Sequence, residues 1–94
     1  MIRNFKDSLT EDAFNGVVRK RFPADPIKVA RRKLRYLHAA HILADLRVPP
    51  GNRLEALKGD RAGQHSIRVN DQFRICFVWT AEGPRDVELT DYHS

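Results

Sequence analysis

The stretch His65-Ser66-Ile67-Arg68-Val69-Asn70-Asp71-Gln72-Phe73-Arg74-Ile75-Cys76-Phe77 decides the fold of this chain. Ile67 and Val69 alternate with polar residues before Asn70-Asp71-Gln72, and Phe73, Ile75 and Phe77 alternate after it. Period two around a polar break predicts a β-hairpin, because successive side chains of a strand leave opposite faces of the sheet. Apolar side chains gain most by meeting apolar side chains across the pair. Val69 is therefore expected opposite Phe73 and Ile67 opposite Ile75, with a three-residue connection at 70–72. The same register sets Arg68 opposite Arg74 and Ser66 opposite Cys76. Two guanidiniums side by side repel unless an anion lies between them. The hairpin is thus a candidate phosphate site on the face that helices leave open, with a pair of solvated arginines as the alternative.

Working outward, the period changes. Upstream, Ser8 with Glu11 forms a capping box, and Leu9, Ala13, Phe14 and Val17 recur at helical spacing. This first helix is expected to end near Arg21, ahead of Pro23 and Pro26. Asp25-Pro26 marks a second helix start, an N-cap acceptor followed by proline. Ile27, Ala30, Leu34, Leu37, His41 and Ala44 form its expected buried face, with Lys28, Arg31, Arg32 and Arg35 opposite. That pattern fails near Arg47, and Pro49-Pro50-Gly51-Asn52 reads as a loop. Ile2 to Phe5 is a candidate first strand, and Leu54 and Ala56 alternate with Arg53, Glu55 and Leu57. Downstream, Glu82-Gly83-Pro84 reads as a turn and Val87 with Leu89 as a last strand, while Trp79 is expected to anchor the core. The sum is one α+β domain over residues 1–94, two N-terminal helices packed on one face of a small antiparallel sheet.

Composition narrows the partners. A chain of 94 residues holds one domain, and 41% hydrophobic with 31% charged residues is globular. The net charge of +5 suits a polyanion: nucleic acid, an acidic protein or an anionic surface. Eight Lys or Arg lie between Val17 and Tyr36 against the lone Asp25. Arg19, Lys20, Arg21, Arg31, Arg32 and Lys33 among them are candidate RNA contacts, which would act on phosphates and carry affinity without sequence information. A solvated basic face is the bland reading of the same residues. The first twenty residues mix charges with apolar residues, so no signal peptide is expected, and no apolar run is long enough to cross a membrane. The single Cys76 cannot form an internal disulfide, and four scattered histidines give no zinc spacing. His38 and His41 read as helix-boundary residues and His65 as a strand residue near the core edge. A cytoplasmic protein with no metal and no cofactor is expected.

Four pieces in order resemble a known family. Leu54-Glu55-Ala56-Leu57-Lys58-Gly59-Asp60-Arg61-Ala62-Gly63 resembles the L-x-x-L-K-G-D-R-x-G signature of HigB-type toxins of the RelE/ParE superfamily. Ser66 to Asn70 and Phe73 to Phe77 are similar to that family's S-I-R-V-N and W-R-I-x-F strands, and Asp91-Tyr92-His93 to its terminal D-Y-H. Ile2-Arg3-Asn4-Phe5 looks like its first strand, and Pro49 to Leu54 is close to the subgroup that includes growth-rate-affecting toxins.

The resemblance implies a microbial ribonuclease-type fold in a bacterial, cytoplasmic toxin. It implies a cognate antitoxin with a helix-turn-helix domain, through which operator DNA is bound, and metal-free cleavage of mRNA in the A site of the 70S ribosome. Such cleavage needs a base for the 2′-OH, an acid for the leaving 5′-oxygen and cations for the phosphate. Arg74 is the candidate phosphate contact, with Arg68 assisting and Lys58 as a second cation. His93 and Asp91 are the candidate proton-transfer pair, and Tyr92 a candidate stacking platform for an unpaired base. Strict alternation puts Asp91 and His93 on the side away from Tyr92. Glu55 occupies a position where HigB proteins include examples with histidine. By alternation it faces the arginines, where it is either a base or a salt-bridge partner. Two other readings use the same fold: a ParE-like gyrase inhibitor without nuclease chemistry, and a binding-only member kept for its antitoxin complex.

Overall fold

The central hairpin has the register that its apolar alternation requires. His65 faces Phe77, Ser66 faces Cys76, Ile67 faces Ile75 and Arg68 faces Arg74. The Val69 N–H donates to the Phe73 carbonyl at 3.0 Å, and Asn70 Oδ1 accepts from the Gln72 and Phe73 N–H groups, closing the three-residue connection. This computed structural model describes residues 1–20 and 24–91. Its elements are α1 (Ser8–Asn15), α2 (Ala24–Ala39), β1 (Glu55–Ala56), β2 (His65–Arg68), β3 (Phe73–Thr80) and β4 (Gly83–Asp91). Short 3-10 turns occupy Leu43–Arg47, Pro50–Asn52 and Gly59–Arg61. The strands form one antiparallel sheet in the order β1-β2-β3-β4, and both helices pack on one face of it, an α+β fold. Leu34 and Leu37 of α2 meet Ile67, Ile75, Phe77 and Val87 of the sheet in the fully buried core.

Several boundaries differ from the sequence reading, each for a local reason. Helix α1 stops at Gly16, well short of Arg21, because Gly16 takes the left-handed conformation (φ 75°) open to a residue without Cβ. Its N–H bonds to the Ala13 carbonyl and that of Val17 to Asp12, satisfying the last turn. The N-cap is Asp7 rather than Ser8: its carboxylate accepts from the Thr10 N–H at 2.9 Å. Helix α2 ends at Ala39 because Asp45 captures the N–H groups of His41 and Ile42, at 2.9 and 3.2 Å, and starts a 3-10 turn. Those bonds hold the Asp45 carboxyl below the usual carboxylate range. His41 and Ala44 are therefore exposed, and Leu46 of that turn is buried in their stead. Asp25 and Pro26 lie within the first turn of α2.

The remaining departures are in the strands. Ile2 to Phe5 is a chain lying parallel to β4 through one bridge, Phe5 with Val87, supported by Arg3 N–H to the Pro84 carbonyl at 2.8 Å. Strand β1 is two residues long, and Leu57 just beyond it is buried while Ala56 is exposed. Gly83 and Pro84 belong to β4, so the turn falls before them. A Cβ on Gly83 would sit 2.2 Å from the Met1 carbonyl oxygen, which admits only glycine there. Trp79 packs half-buried at the margin of the core, whose centre is Phe77.

Thr10 fastens α1 to the outer edge of the sheet. Its hydroxyl accepts from the Leu89 N–H of β4 at 2.8 Å and donates to Asp7 at 2.5 Å, and the residue is fully buried. Thr10→Val keeps the shape but leaves a buried N–H unpaired, and is expected to cost about 1–3 kcal/mol in urea denaturation.

Candidate functional site

Strand alternation sends Ile67, Ile75 and Leu89 toward the helices and gathers a polar set on the other face. There Glu55 lies opposite Ser66, Ser66 opposite Cys76 and Cys76 opposite Glu88, beside the row Arg68, Arg74 and Thr90. Arg74 is the best-held member. Its Nε donates to Ser66 Oγ at 2.7 Å, and its Nη2 donates to the Arg53 carbonyl at 2.8 Å and lies 3.5 Å from Glu55 Oε1. Arg53 offers that carbonyl from a left-handed backbone (φ 45°) two residues before β1 begins. The Arg74 side chain is 14% exposed and that of Glu55 51% exposed, so the cation is fixed and the carboxylate is open to a ligand. An anion-binding arginine gains from such fixing, since its donors need no reorganisation when charge arrives.

The facing arginines do not share one anion. Arg68 turns to Asp71 in the hairpin connection, and Arg74 turns to Glu55 across the sheet. Each guanidinium has its own carboxylate, which removes the repulsion that the register alone would create. Glu55 is thereby an ion-pair partner of Arg74 and at the same time a member of the open face.

The other sequence-derived candidates divide. Lys58 is exposed just before the Gly59–Arg61 turn and has no ion-pair partner among the described residues. Asp91 pairs with Phe73 on β3 and accepts from Gln72 Nε2 at 3.0 Å, one register position beyond Thr90 and on the opposite side from Arg74. No bend brings it over by residue 91; Tyr92 and His93 lie outside the described residues. Sequence reasoning gave no role to Ser66, although its place opposite Cys76 and next to Arg68 was readable from the register. It also passed over Glu88, whose carboxylate takes Arg61 Nη1 at 3.1 Å and lies 3.8 Å from Lys6 Nζ. Burial pushes the Cys76 thiol up, which leaves it protonated and inert.

The basic helical segment is not uniformly available. Lys20, Arg31 and Arg32 are exposed, and Arg21 lies outside the described residues. Arg19 is exposed too, with its guanidinium engaged at the surface by Asp12 and Ser8, at 2.8 and 3.0 Å. Lys33 departs furthest from expectation: it is 6% exposed, because position 33 falls between Ala30 and Leu37 on the apolar face of α2. Its ammonium donates to Asn52 Oδ1 at 2.5 Å and lies 5.5 Å from the Tyr36 ring centroid. Asn52 in turn donates to the Leu46 and Val48 carbonyls, so the pair ties α2 to the loop leading into β1. Burial lowers the Lys33 pKa, and Arg32 and Arg68 lower it further. Among the described residues no helix is long and apolar enough to cross a membrane.

An α+β fold with a fixed arginine on the open face of its sheet, carried by the strand motifs quoted above, places the chain among RelE-like toxins. The chain belongs to the HigB-like toxin family, described as the RelE-like toxin of the type II toxin-antitoxin system HigB, which it matches over residues 3–93. Toxin HigB-1 of Vibrio cholerae serotype O1 is 45% identical over 80 residues, 84% of this chain and 84% of that one. An uncharacterized protein of Haemophilus influenzae is 39% identical over 79 residues, 84% of this chain and 77% of that protein.

The buried lysine supplies a test of this account. The unfolded chain binds the Lys33 proton more tightly than the folded one. Stability should therefore rise with pH from the lowered folded pKa up to the ordinary lysine value of about 10.4. Lys33→Met should flatten that rise and stay within about 1.5 kcal/mol of wild type at neutral pH. Asn52→Ala, which strands the ammonium, should cost about 1.5–3 kcal/mol. Urea midpoints measured from pH 7 to about 10 check all three.

Proposed function

We propose that this toxin acts as a ribosome-dependent endoribonuclease, cutting mRNA in the A site of the 70S ribosome and so stopping translation and growth. The observation that carries the reading is the Ser66–Arg74–Glu55 arrangement: a guanidinium locked by two hydrogen bonds beside a solvent-facing carboxylate. Metal-free cleavage needs those two groups together. Arg74 neutralises the charge growing on the scissile phosphate. Glu55 takes the proton of the 2′-OH as that oxygen attacks phosphorus, and the bond to the 5′-oxygen breaks. His93 returns a proton to the departing oxygen, leaving a 2′,3′-cyclic phosphate and a 5′-OH. Tyr92 stacks on a base beside the cut, while Asp91, on the side of the sheet away from Arg74, accepts from Gln72 and takes no part at the phosphate. Lys58 adds a second cation from the exposed start of its turn.

Lys20, ahead of α2, and Arg31 and Arg32 on the exposed face of α2 dock on ribosomal RNA phosphates. The cognate antitoxin, a helix-turn-helix protein in this reading, restrains the toxin and links it to operator DNA. The reaction proceeds in the cytoplasm without metal or cofactor.

The test is mapping of 5′ ends on a reporter mRNA incubated with purified toxin, with and without translating ribosomes. Cuts at A-site codons that require ribosomes are expected. Arg74→Ala should lower their rate about 10²–10³-fold, and Glu55→Gln should lower it about 10²-fold or more. Intact mRNA beside actively translating ribosomes contradicts the nuclease reading and returns attention to gyrase.

A further inference from the structure

We propose that Glu88 is a positioning residue: through Arg61 it holds the turn that follows Lys58 against the open face of the sheet, and so sets where the Lys58 ammonium meets the RNA phosphate. This rests on the ribonuclease reading above, in which Lys58 is the second cation, and adds the residue that places that cation.

The turn Gly59–Arg61 has little packing to place it. None of its three residues is buried. Gly59 and Gly63 take left-handed backbones (φ 63° and 92°), and a Cβ on either would meet nothing within 4 Å. The backbone bonds of the turn are local. Arg61 N–H donates to the Lys58 carbonyl at 3.3 Å, and Ala62 N–H to the Gly59 carbonyl and Gln64 N–H to the Arg61 carbonyl, both at 3.0 Å. These shape the turn without fastening it to β4. Arg61 supplies that tie. Its Nη1 donates to Gln64 Oε1 and to Glu88 Oε1, each at 3.1 Å, so one guanidinium joins the loop after β1 to the strand at the other edge of the sheet.

The surroundings make the tie effective. The Arg61 and Glu88 side chains are 27% and 18% exposed, so water and salt screen them less than a fully exposed pair. Lys6 Nζ, 3.8 Å from the same carboxylate on a side chain 54% exposed, is the weaker partner. Glu88 faces Cys76 in register, and the charges of Arg61, Glu88 and Arg74 all act on the Cys76 thiol. The tether therefore meets the sheet beside the Arg74 site. Lysine carries its charge on a flexible four-carbon stem, so the ammonium is well placed at a phosphate only when its own backbone is held.

The test combines cleavage with amide hydrogen exchange on the full chain. Glu88→Ala should lower the single-turnover rate of A-site cutting at saturating toxin about tenfold, with the half-saturating toxin concentration unchanged. In a Lys58→Ala background the same change should have no further effect. Glu88→Gln keeps an oxygen to accept from Arg61 and should retain most of the rate. Lys6→Ala leaves the Arg61 bond in place and should cut as wild type does. Exchange at the Arg61, Ala62 and Gln64 amides should quicken about tenfold in Glu88→Ala, with far less change at the amides of β2 and β3. Unchanged exchange in the turn overturns the inference, because the tether then holds nothing. Equal quickening throughout the chain overturns it too, since Glu88 would then serve stability alone. Rate losses that add fully in the double variant, or a Lys58→Ala variant that cuts as wild type does, overturn it while leaving the Arg74 site standing. Wild-type toxin that cuts nothing on ribosomes defeats the ribonuclease reading and this inference with it, whatever the exchange shows of the tether.

Discussion

Ile67 lies opposite Ile75 because each is completely buried in that pairing, and a slip of one residue would carry both into solvent and Arg68 and Arg74 toward the helices. Burying such a side chain contributes about 1.5–3 kcal/mol, and an unpaired guanidinium in the core costs more than that. The register is therefore held from both faces. It fixes in turn which residues share the open face: Ser66 next to Arg74, Glu55 across from Ser66, and Glu88 across from Cys76.

Once the register is set, charge placement shapes the site. The two facing arginines separate toward Asp71 and Glu55, and only Arg74 is buried enough to be immobile. Its Nε bond to Ser66 and its Nη2 bond to the Arg53 carbonyl hold it from strand β2 and from the loop before β1 at once. The left-handed Arg53 supplies that carbonyl at the point where the Pro49–Asn52 loop enters β1. Behind the same loop Lys33 and Asn52 fasten α2 to it. The loop that positions Glu55 is thus tied to the helical layer by a buried polar pair rather than by apolar packing alone.

The hairpin, the helical pair and the shared face of Glu55 and Arg74 were legible because period and pairing are local properties of the sequence. Their limits are equally physical. Gly16 ends α1 where the apolar spacing continued through Val17, since a left-handed residue overrides periodicity. Asp45 ends α2 by taking two backbone N–H groups, a capping contact that hydrophobic spacing does not register. Lys33 groups with its charged neighbours by residue type, but its helical position between the buried Ala30 and Leu37 puts it on the apolar face. Ser66 was placed correctly by register, but its bond to Arg74 depends on a rotamer that spacing does not specify.

The central claim is that Arg74 and Glu55 serve an in-line attack by a ribose 2′-OH on its own phosphate. Replacing the single ribose at a mapped cleavage position with 2′-deoxyribose, in an otherwise unchanged mRNA on translating ribosomes, tests it most directly. The account predicts that cutting at that position disappears while cuts at unsubstituted codons persist. Undiminished cutting at the deoxy position would contradict it, because the nucleophile would then have to be water.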